Sequence, residues 1–241
     1  MAGSKKNGMT WPARMRDGQD FARRSNAFWT CGKFRPLLAR MRPDDILPTY
    51  DRVARGFARS RDRTLFERRW LDRALNHAPG RRVLDLGCGP GKPIAAYLQE
   101  RNGEVTGVDG AGSMLVLFRD NLPRARAVHA DMRGLDLGET FDLILAWNSM
   151  FHLSADDQRG MFATFAAHAR PRTALLFTTG PAAGEAMGRV EGESVYHASL
   201  DPDEYRKLLN ENGFDEVAFV PEDPTCNGHS VWLAQYRGLN A

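Results

Sequence analysis

The stretch Val83-Leu84-Asp85-Leu86-Gly87-Cys88-Gly89-Pro90-Gly91-Lys92-Pro93 decides how this chain is read. An apolar run of strand length enters a turn holding three glycines, and a helical pattern follows. In open parallel sheets, ligands bind beyond the carboxyl ends of the strands. Glycine there lets a ligand approach the backbone closely, because no Cβ intervenes. The spacing narrows the ligand. A dinucleotide fingerprint, G-x-G-x-x-G, needs its third glycine where Lys92 stands, and a phosphate loop needs Ser or Thr where Pro93 stands. A second signal closes the next strand, Val105-Thr106-Gly107-Val108-Asp109. An acid 22 residues beyond Gly87 is placed to take both hydroxyls of a ribose.

Outward from this turn, strand-like and helix-like segments alternate. The pattern predicts strands at Arg82–Leu86, Glu104–Val108, Ala125–His129, Phe141–Trp147 and Ala174–Thr178. Helices are expected at Ile94–Arg101, Ser113–Asn121 and Ser154–Ala169. A loop of about twenty residues, 179–200, is expected next; its length suits folding over a small ligand. A helix at Pro202–Asn212 and strands at Glu216–Val220 and Ser230–Gln235 close the chain. Ser154, with Asp157 three residues on, is a helix cap, and Asp201 caps a helix opened by Pro202, with Glu204 placed to reach back. Upstream, Tyr50, Val53, Ala54 and Phe57 recur at helical spacing. A further helix carries Leu65, Phe66, Trp70, Leu71 and Leu75 and stops at Pro79-Gly80. Alternation of this kind gives an α/β fold with a mostly parallel sheet and helices on both faces.

Charge divides the chain in two. Residues 1–42 hold ten basic and two acidic side chains, a balance of +8, which leaves −5 for the remainder of a chain whose total is +3. Residues 1–43 read as a basic, poorly ordered arm with one short helix at Ala27–Leu38, and 44–241 as the catalytic domain. The arm could be a solvated tail, sequence ahead of a start near Met41, or a grip on nucleic acid or another acidic surface. Cys31, Cys88 and Cys226 lack the spacing of a disulfide framework or zinc site, so reduced thiols and no metal are expected. No apolar run approaches the roughly 20 residues that cross a bilayer, and no secretory signal is evident, so a cytoplasmic protein without a membrane partner is expected.

The residues of these motifs resemble the class I S-adenosylmethionine (SAM)-dependent methyltransferase family, over about Tyr50 to Gln235. VLDLGCGPG (83–91) is similar to that family's first motif and VTGVDGAGSML (105–115) to its second. AVHADMRGL (127–135) and FDLILAWNSMFHL (141–153) resemble the third and fourth more loosely. The resemblance implies a Rossmann-like seven-stranded sheet whose last strand is antiparallel. It also implies SAM as cofactor. Gly87, Cys88 and Gly89 would line its amino-acid part, with Asp85 orienting that loop. Asp109, beside Gly110, would take the ribose hydroxyls. Asp131 would accept from the adenine amino group, with Met132 beside it, and Asn148 would close the pocket beneath the sulfonium. Ala111 departs from the family, which often has Ser there to cap the following helix.

Methyl transfer from a sulfonium is an in-line displacement of an already activated group, so it needs orientation first and a base only when the acceptor must lose a proton. His152, Tyr196 and His197 are the candidate catalytic side chains, and His229 reads as structural. Trp147 and Phe151 are candidates for an apolar wall, and Tyr50 with the apolar residues of the first helix for a cover over the cofactor, as the resemblance implies. The acidic body and the absence of a base-gripping Asn-Pro-Pro-Tyr or Asp-Pro-Pro-Tyr after the fourth strand favour a small-molecule acceptor rather than nucleic acid. RNA or protein methylation, and a non-catalytic SAM-binding module, are the alternatives.

Overall fold

Residues 41–238 are described by a computed structural model of the chain. The helix expected at Ala27–Leu38 and nearly all of the arm lie outside the described residues. At its end, Met41 packs beside Ile46, and Pro43 opens a single 3-10 turn, Pro43–Asp45.

The parallel strands send successive side chains to two separate cores, as a sheet covered on both faces requires. Strand β1 (Arg82–Leu86) directs Val83 to one core and Leu84 and Leu86 to the other. Strands β4 (Phe141–Ala146) and β5 (Ala169–Thr179) repeat the division: Leu143, Leu145, Ala174 and Leu176 face Val83's side, and Ile144, Ala146, Leu175 and Phe177 the opposite side. The first core is closed by α2 (Arg68–His77), α3 (Ile94–Glu100) and α4 (Gly112–Asn121), and the second by α5 (Ala155–Ala167) and α6 (Pro202–Glu211). With β2 (Glu104–Asp109), β3 (Arg126–His129), β8 (Phe214–Asp223) and β9 (His229–Tyr236), the seven-stranded sheet runs β3-β2-β1-β4-β5-β9-β8. The chain's last strand, β9, is antiparallel to both β5 and β8 and lies inside the sheet.

The segment expected as a loop is instead a hairpin, β6 (Gly184–Val190) and β7 (Glu193–Ser199), joined through Glu191 and Gly192. Both turn residues have positive φ, +48° and +87°, the twist-matched geometry of a two-residue hairpin loop. Its buried residues Val190, Val195, Tyr196 and Ala198 cluster with Ile46 of α1 (Ile46–Ser60). Ser60 Oγ donates to Glu191 Oε1 at 2.6 Å, and the missing Cβ of Gly56 leaves room for that carboxylate. Helix α1 also touches Ala111 and Met114 through Ala54, so it bridges the hairpin and the start of α4 across one edge of the sheet.

Two caps differ in detail. Ser154 accepts from the Asp157 amide as expected. Asp201 caps α6 through the Asp203 amide, but Glu204 does not reach back; it is drawn to Arg159 at 2.6 Å.

Candidate active site

Where β1 and β2 end, the two loops are laced together. The Gly87 and Cys88 amides donate to Val108 O at 2.8 and 3.1 Å, and the Gly89 amide donates to Asp109 Oδ2 at 2.8 Å. Asp109 Oδ1 accepts from the Ala111 amide at 2.8 Å, which fixes the carboxylate in one orientation. Ala111, which has no side chain to cap α4, is compensated from a distance: Asp51 of α1 accepts from the Ser113 amide at 2.8 Å.

Gly87 and Gly89 both have positive φ, +73° and +52°. A Cβ on Gly87 would lie 2.3 Å from Ser149 Cβ, whereas one on Gly89 would meet only Phe57 at 3.9 Å and would otherwise protrude into the cleft. Gly110 carries no Cβ because Leu47 of α1 lies against it.

One cleft joins these loops. Its lining includes Asp85, Gly87, Cys88, Gly89, Asp109, Gly110, Asp131, Met132, Asn148 and His152. The cleft is open to solvent, and the space within it and at its mouth amounts to about 1100 Å³. Tyr50, Phe57 and Arg61 of the α1 region and Trp147 after β4 complete the walls used below.

Asp85 is 4% exposed, and its side chain makes no hydrogen bond among the described residues. Burial, then the charge of Asp109, pushes its pKa up to about 7. Burial also raises Asp109, while the amides of Ala111 and Gly89 work against that rise. Two carboxyls sunk this deeply, one with no donor, make a site that a cation would relieve. Asp131 behaves differently. Burial opposes its charge, but hydrogen bonds and the charge of Arg133 outweigh it and hold the pKa below the usual range. Arg133 Nη2 lies 2.7 Å from Asp131 Oδ2, and Nη1 reaches Asp44 and Asp157, each at 3.4 Å.

The three expected catalytic side chains do not converge on the cleft. His152 lines it, with Nδ1 2.8 Å from Tyr196 O and Nε2 2.9 Å from the Tyr50 hydroxyl. A carbonyl can only accept, so Nδ1 carries the proton and Nε2 accepts from Tyr50. Burial keeps this imidazole neutral, its pKa down to about 4. Tyr196 and His197 lie on the hairpin behind it, outside the cleft lining. The Tyr196 hydroxyl donates to Glu185 at 3.0 Å, and the His197 ring packs 4.8 Å from His152 and 4.9 Å from Phe151. Asn148, at φ +51°, is tied by its amide N–H to Thr178 Oγ1 at 2.9 Å, and its Nδ2 lies 3.3 Å from His229 Nε2. Phe151 is buried away from the cleft, whereas Trp147 lines it.

Arg61 and Arg133 were not singled out by sequence, whereas Phe57 belongs to the first helix expected to cover the cofactor. Arg133 sits inside the third motif, two residues after Asp131, and that adjacency was the available signal; Arg61 offered none beyond its place after an amphipathic helix.

A family model described as a methyltransferase domain matches residues 83–172, the span from β1 into β5 that carries this cleft. That match, together with the solved SAM-dependent methyltransferases that share its fold, makes the chain similar to the class I SAM-dependent methyltransferase family. Among curated proteins it is 31% identical over 143 residues to a malonyl-[acyl-carrier protein] O-methyltransferase of Enterobacter lignolyticus (strain SCF1), covering 55% of this chain and 56% of that one. It is 28% identical over 176 residues to an arsenite methyltransferase of Halobacterium salinarum, covering 65% of this chain and 43% of the relative. The chain thus spans about half the length of the curated relatives it matches. In fold it is similar to a SAM-bound amino pentose methyltransferase from Micromonospora echinaspora, with a TM-score of 0.60 at 20% identity, covering 89% of this chain and 100% of that one. The methyltransferase fold is therefore shared well beyond the 83–172 match. Among the described residues, no helix is long and apolar enough to cross a membrane.

Proposed function

We propose that this chain transfers the methyl group of SAM to a small-molecule acceptor. The observation that carries the reading is the pair of buried carboxyls at adjacent strand ends: Asp109, pinned by the Gly89 and Ala111 amides, and Asp85, 4% exposed and without a hydrogen-bond donor, on the same cleft. Asp109 would hold the ribose hydroxyls with its remaining lone pairs. Asp85 would face the positively charged end of the ligand. Asp131 and Met132 flank the adenine end, where Arg133 holds the Asp131 carboxylate in place. Bound SAM supplies a methyl group already activated by the sulfonium charge.

The chain's own contribution is then to orient and to exclude water. Phe57 and Trp147 wall the end of the cleft beyond Gly89 and Asn148. His152 is neutral, and its Nε2 is engaged by the Tyr50 hydroxyl, so the phenolic proton is held between these two atoms. Burial raises the Tyr50 pKa, which keeps that proton on the phenol. An acceptor that needs no general base suits this arrangement. Similarity to enzymes named for trans-aconitate, 41% identical over 66 residues, and for malonyl-[acyl-carrier protein] supports a small acceptor.

The test is incubation of the purified full chain with methyl-labelled SAM and separate pools of small metabolites, RNA and protein. The expected outcome is S-adenosylhomocysteine (SAH) release matched by label in a small product. Label confined to RNA or protein would overturn the acceptor class. Saturable SAM binding without transfer to any pool would leave a binding module.

A further inference from the structure

Helix α1 crosses the cleft and marks positions along it. Leu47, Tyr50, Phe57 and Arg61 all line the cleft. Their spacing keeps them on one side of the helix. Leu47 lies against Gly110, in the loop of Asp109, and a Cβ on Gly89 would meet Phe57 at 3.9 Å. Tyr50 therefore sits between the loop assigned to the ribose and the loop assigned to the amino-acid part of SAM. The sulfonium joins those two parts, which puts Tyr50 alongside the reacting centre.

The Tyr50 hydroxyl has a fixed polarity. His152 Nδ1 donates to Tyr196 O at 2.8 Å, so Nε2 accepts the phenolic hydrogen at 2.9 Å. Phe151, with ring centroids 4.9 Å apart, holds the imidazole from behind. The only proton of the phenol is thus committed, and its oxygen has acceptor capacity alone to offer. Tyr50 is half-buried, and both partners of the contact line the cleft, so a molecule in the cleft borders it. A carboxylate would set its own lone pairs against this oxygen. A hydroxyl or thiol would have to lose its proton, and the pair has no place for one: Nε2 is filled, and burial holds His152 down to about 4. Asp85 is assigned to the charged end of the cofactor. Of the cations lining the cleft, Arg61 and Arg133 are matched by Glu67 and Asp131, and Lys92 is exposed to solvent. A neutral nitrogen bearing hydrogen fits without further help. It donates N–H to Tyr50 and keeps its lone pair for the methyl carbon.

We propose that Tyr50 orients the methyl acceptor through its oxygen and that the methylated atom is the nitrogen of a weakly basic amine. An alkylamine, protonated near neutral pH, would arrive without its lone pair. The nitrogen lone pair forms the N–C bond, and the C–S bond breaks with its electron pair left on sulfur. Positive charge passes to the nitrogen, so its N–H bond to the Tyr50 oxygen strengthens as the reaction proceeds. The surplus proton then leaves to solvent through the open cleft. An interaction that strengthens as charge develops raises kcat rather than affinity. This rests on the methyltransferase reading above.

The test gives the full chain SAM labelled with ¹³C in its methyl group and a pool of small metabolites, and reads the carbon shift of the product methyl. That shift separates methyl groups on nitrogen, oxygen, sulfur and carbon. Nitrogen is expected, and any other atom would overturn the proposal. With the acceptor so obtained, Tyr50→Phe, which keeps the ring and removes the oxygen, should lower kcat about 10-fold while the KM for SAM stays within about 2-fold. An unchanged kcat beside a lowered melting temperature would reduce Tyr50 to a structural role. ¹⁵N NMR of the wild-type His152 ring tests the polarity even where the variant folds poorly. A protonated Nδ1 and a bare Nε2 are expected, and the reverse would overturn the assignment. Failure to bind SAM, or binding without transfer to any metabolite, would instead overturn the methyltransferase reading.

Discussion

The two ends of the cleft bury titratable groups in opposite ways. The end beside β1 and β2 sinks two carboxyls, Asp85 and Asp109, and burial drives both pKa values up. Imidazoles are buried beside Trp147 and beside Tyr50, and burial drives His229 and His152 down to about 4. At the β1–β2 end Asp109 is held by two backbone amides, and ionisation of Asp85 is what a cationic ligand would favour. The other remains neutral and aromatic. The contrast teaches that burial has opposite consequences for carboxyls and for imidazoles, favouring the neutral form of each.

The contrast can be broken most severely at Gly87. Gly87→Ala forces a Cβ to within 2.3 Å of Ser149 Cβ at φ +73°, beside a serine whose hydroxyl donates to Leu86 O at 2.7 Å. Thermal unfolding should show a loss of about 2–4 kcal/mol. Gly134→Ala, also at positive φ (+61°) but with nothing within 4 Å, isolates the backbone part and should cost about 1 kcal/mol. Equal losses would show that the close approach to Ser149 contributes nothing.

Asp109→Ala comes next. It strands the Gly89 and Ala111 amides as well as the ribose hydroxyls, and calorimetry should show SAM binding weaker by about 1–3 kcal/mol. Trp147→Phe should leave SAM affinity within about 2-fold; if it weakened SAM as much as Asp109→Ala, the two ends would not be functionally separate.

The pH responses sharpen the contrast, because the signs differ. Asp85 titrates near 7 in the fold, above its unfolded value, so its contribution favours the fold at low pH and is lost as pH rises through about 7. A cationic ligand needs the ionised form, so SAM affinity should climb between pH 6 and 8, by at most about 10-fold per pH unit, and Asp85→Asn should flatten the profile. The histidines run the other way. With folded pKa values of about 4, below the ordinary 6.5, their contribution is present above pH 6.5 and is lost as pH falls toward 4. Replacing His152 with Gln should reduce the fall in thermal stability over that range; an unchanged fall would remove His152 from the acid response.

On stability and cofactor binding, the smallest effect is expected from Tyr50→Phe. It deletes the 2.9 Å contact to His152 Nε2 and should cost about 1 kcal/mol of stability while leaving SAM affinity nearly unchanged.

How legible each end was in the sequence follows from how it is built. The β1–β2 cradle is a local object: a strand, a glycine turn and an acid at the next strand end, all in the backbone's own spacing. The mostly parallel sheet was legible through alternation, whereas the antiparallel last strand was implied by the family resemblance. The rest of the site joins side chains from remote segments. Tyr50 and His152 are 102 residues apart, and Asn148 and His229 are 81 apart. No local pattern reports such contacts. The hairpin at 184–199 escaped notice because its glycines read as loop; its register is supported by docking on α1, a non-local event. Tyr196 and His197 looked accessible in a loop and are buried in a strand. Arg133 was invisible as a partner of Asp44 and Asp157 because only the fold brings three acids to one guanidinium.

Calorimetric titration of the full chain with SAM and, separately, with NAD tests the central claim most directly, since both ligands carry an adenosyl ribose but only one carries a sulfonium. A cleft built on Asp85 and Asp109 should bind SAM saturably at one site and leave NAD without measurable heat. Tight NAD binding with none for SAM would contradict it.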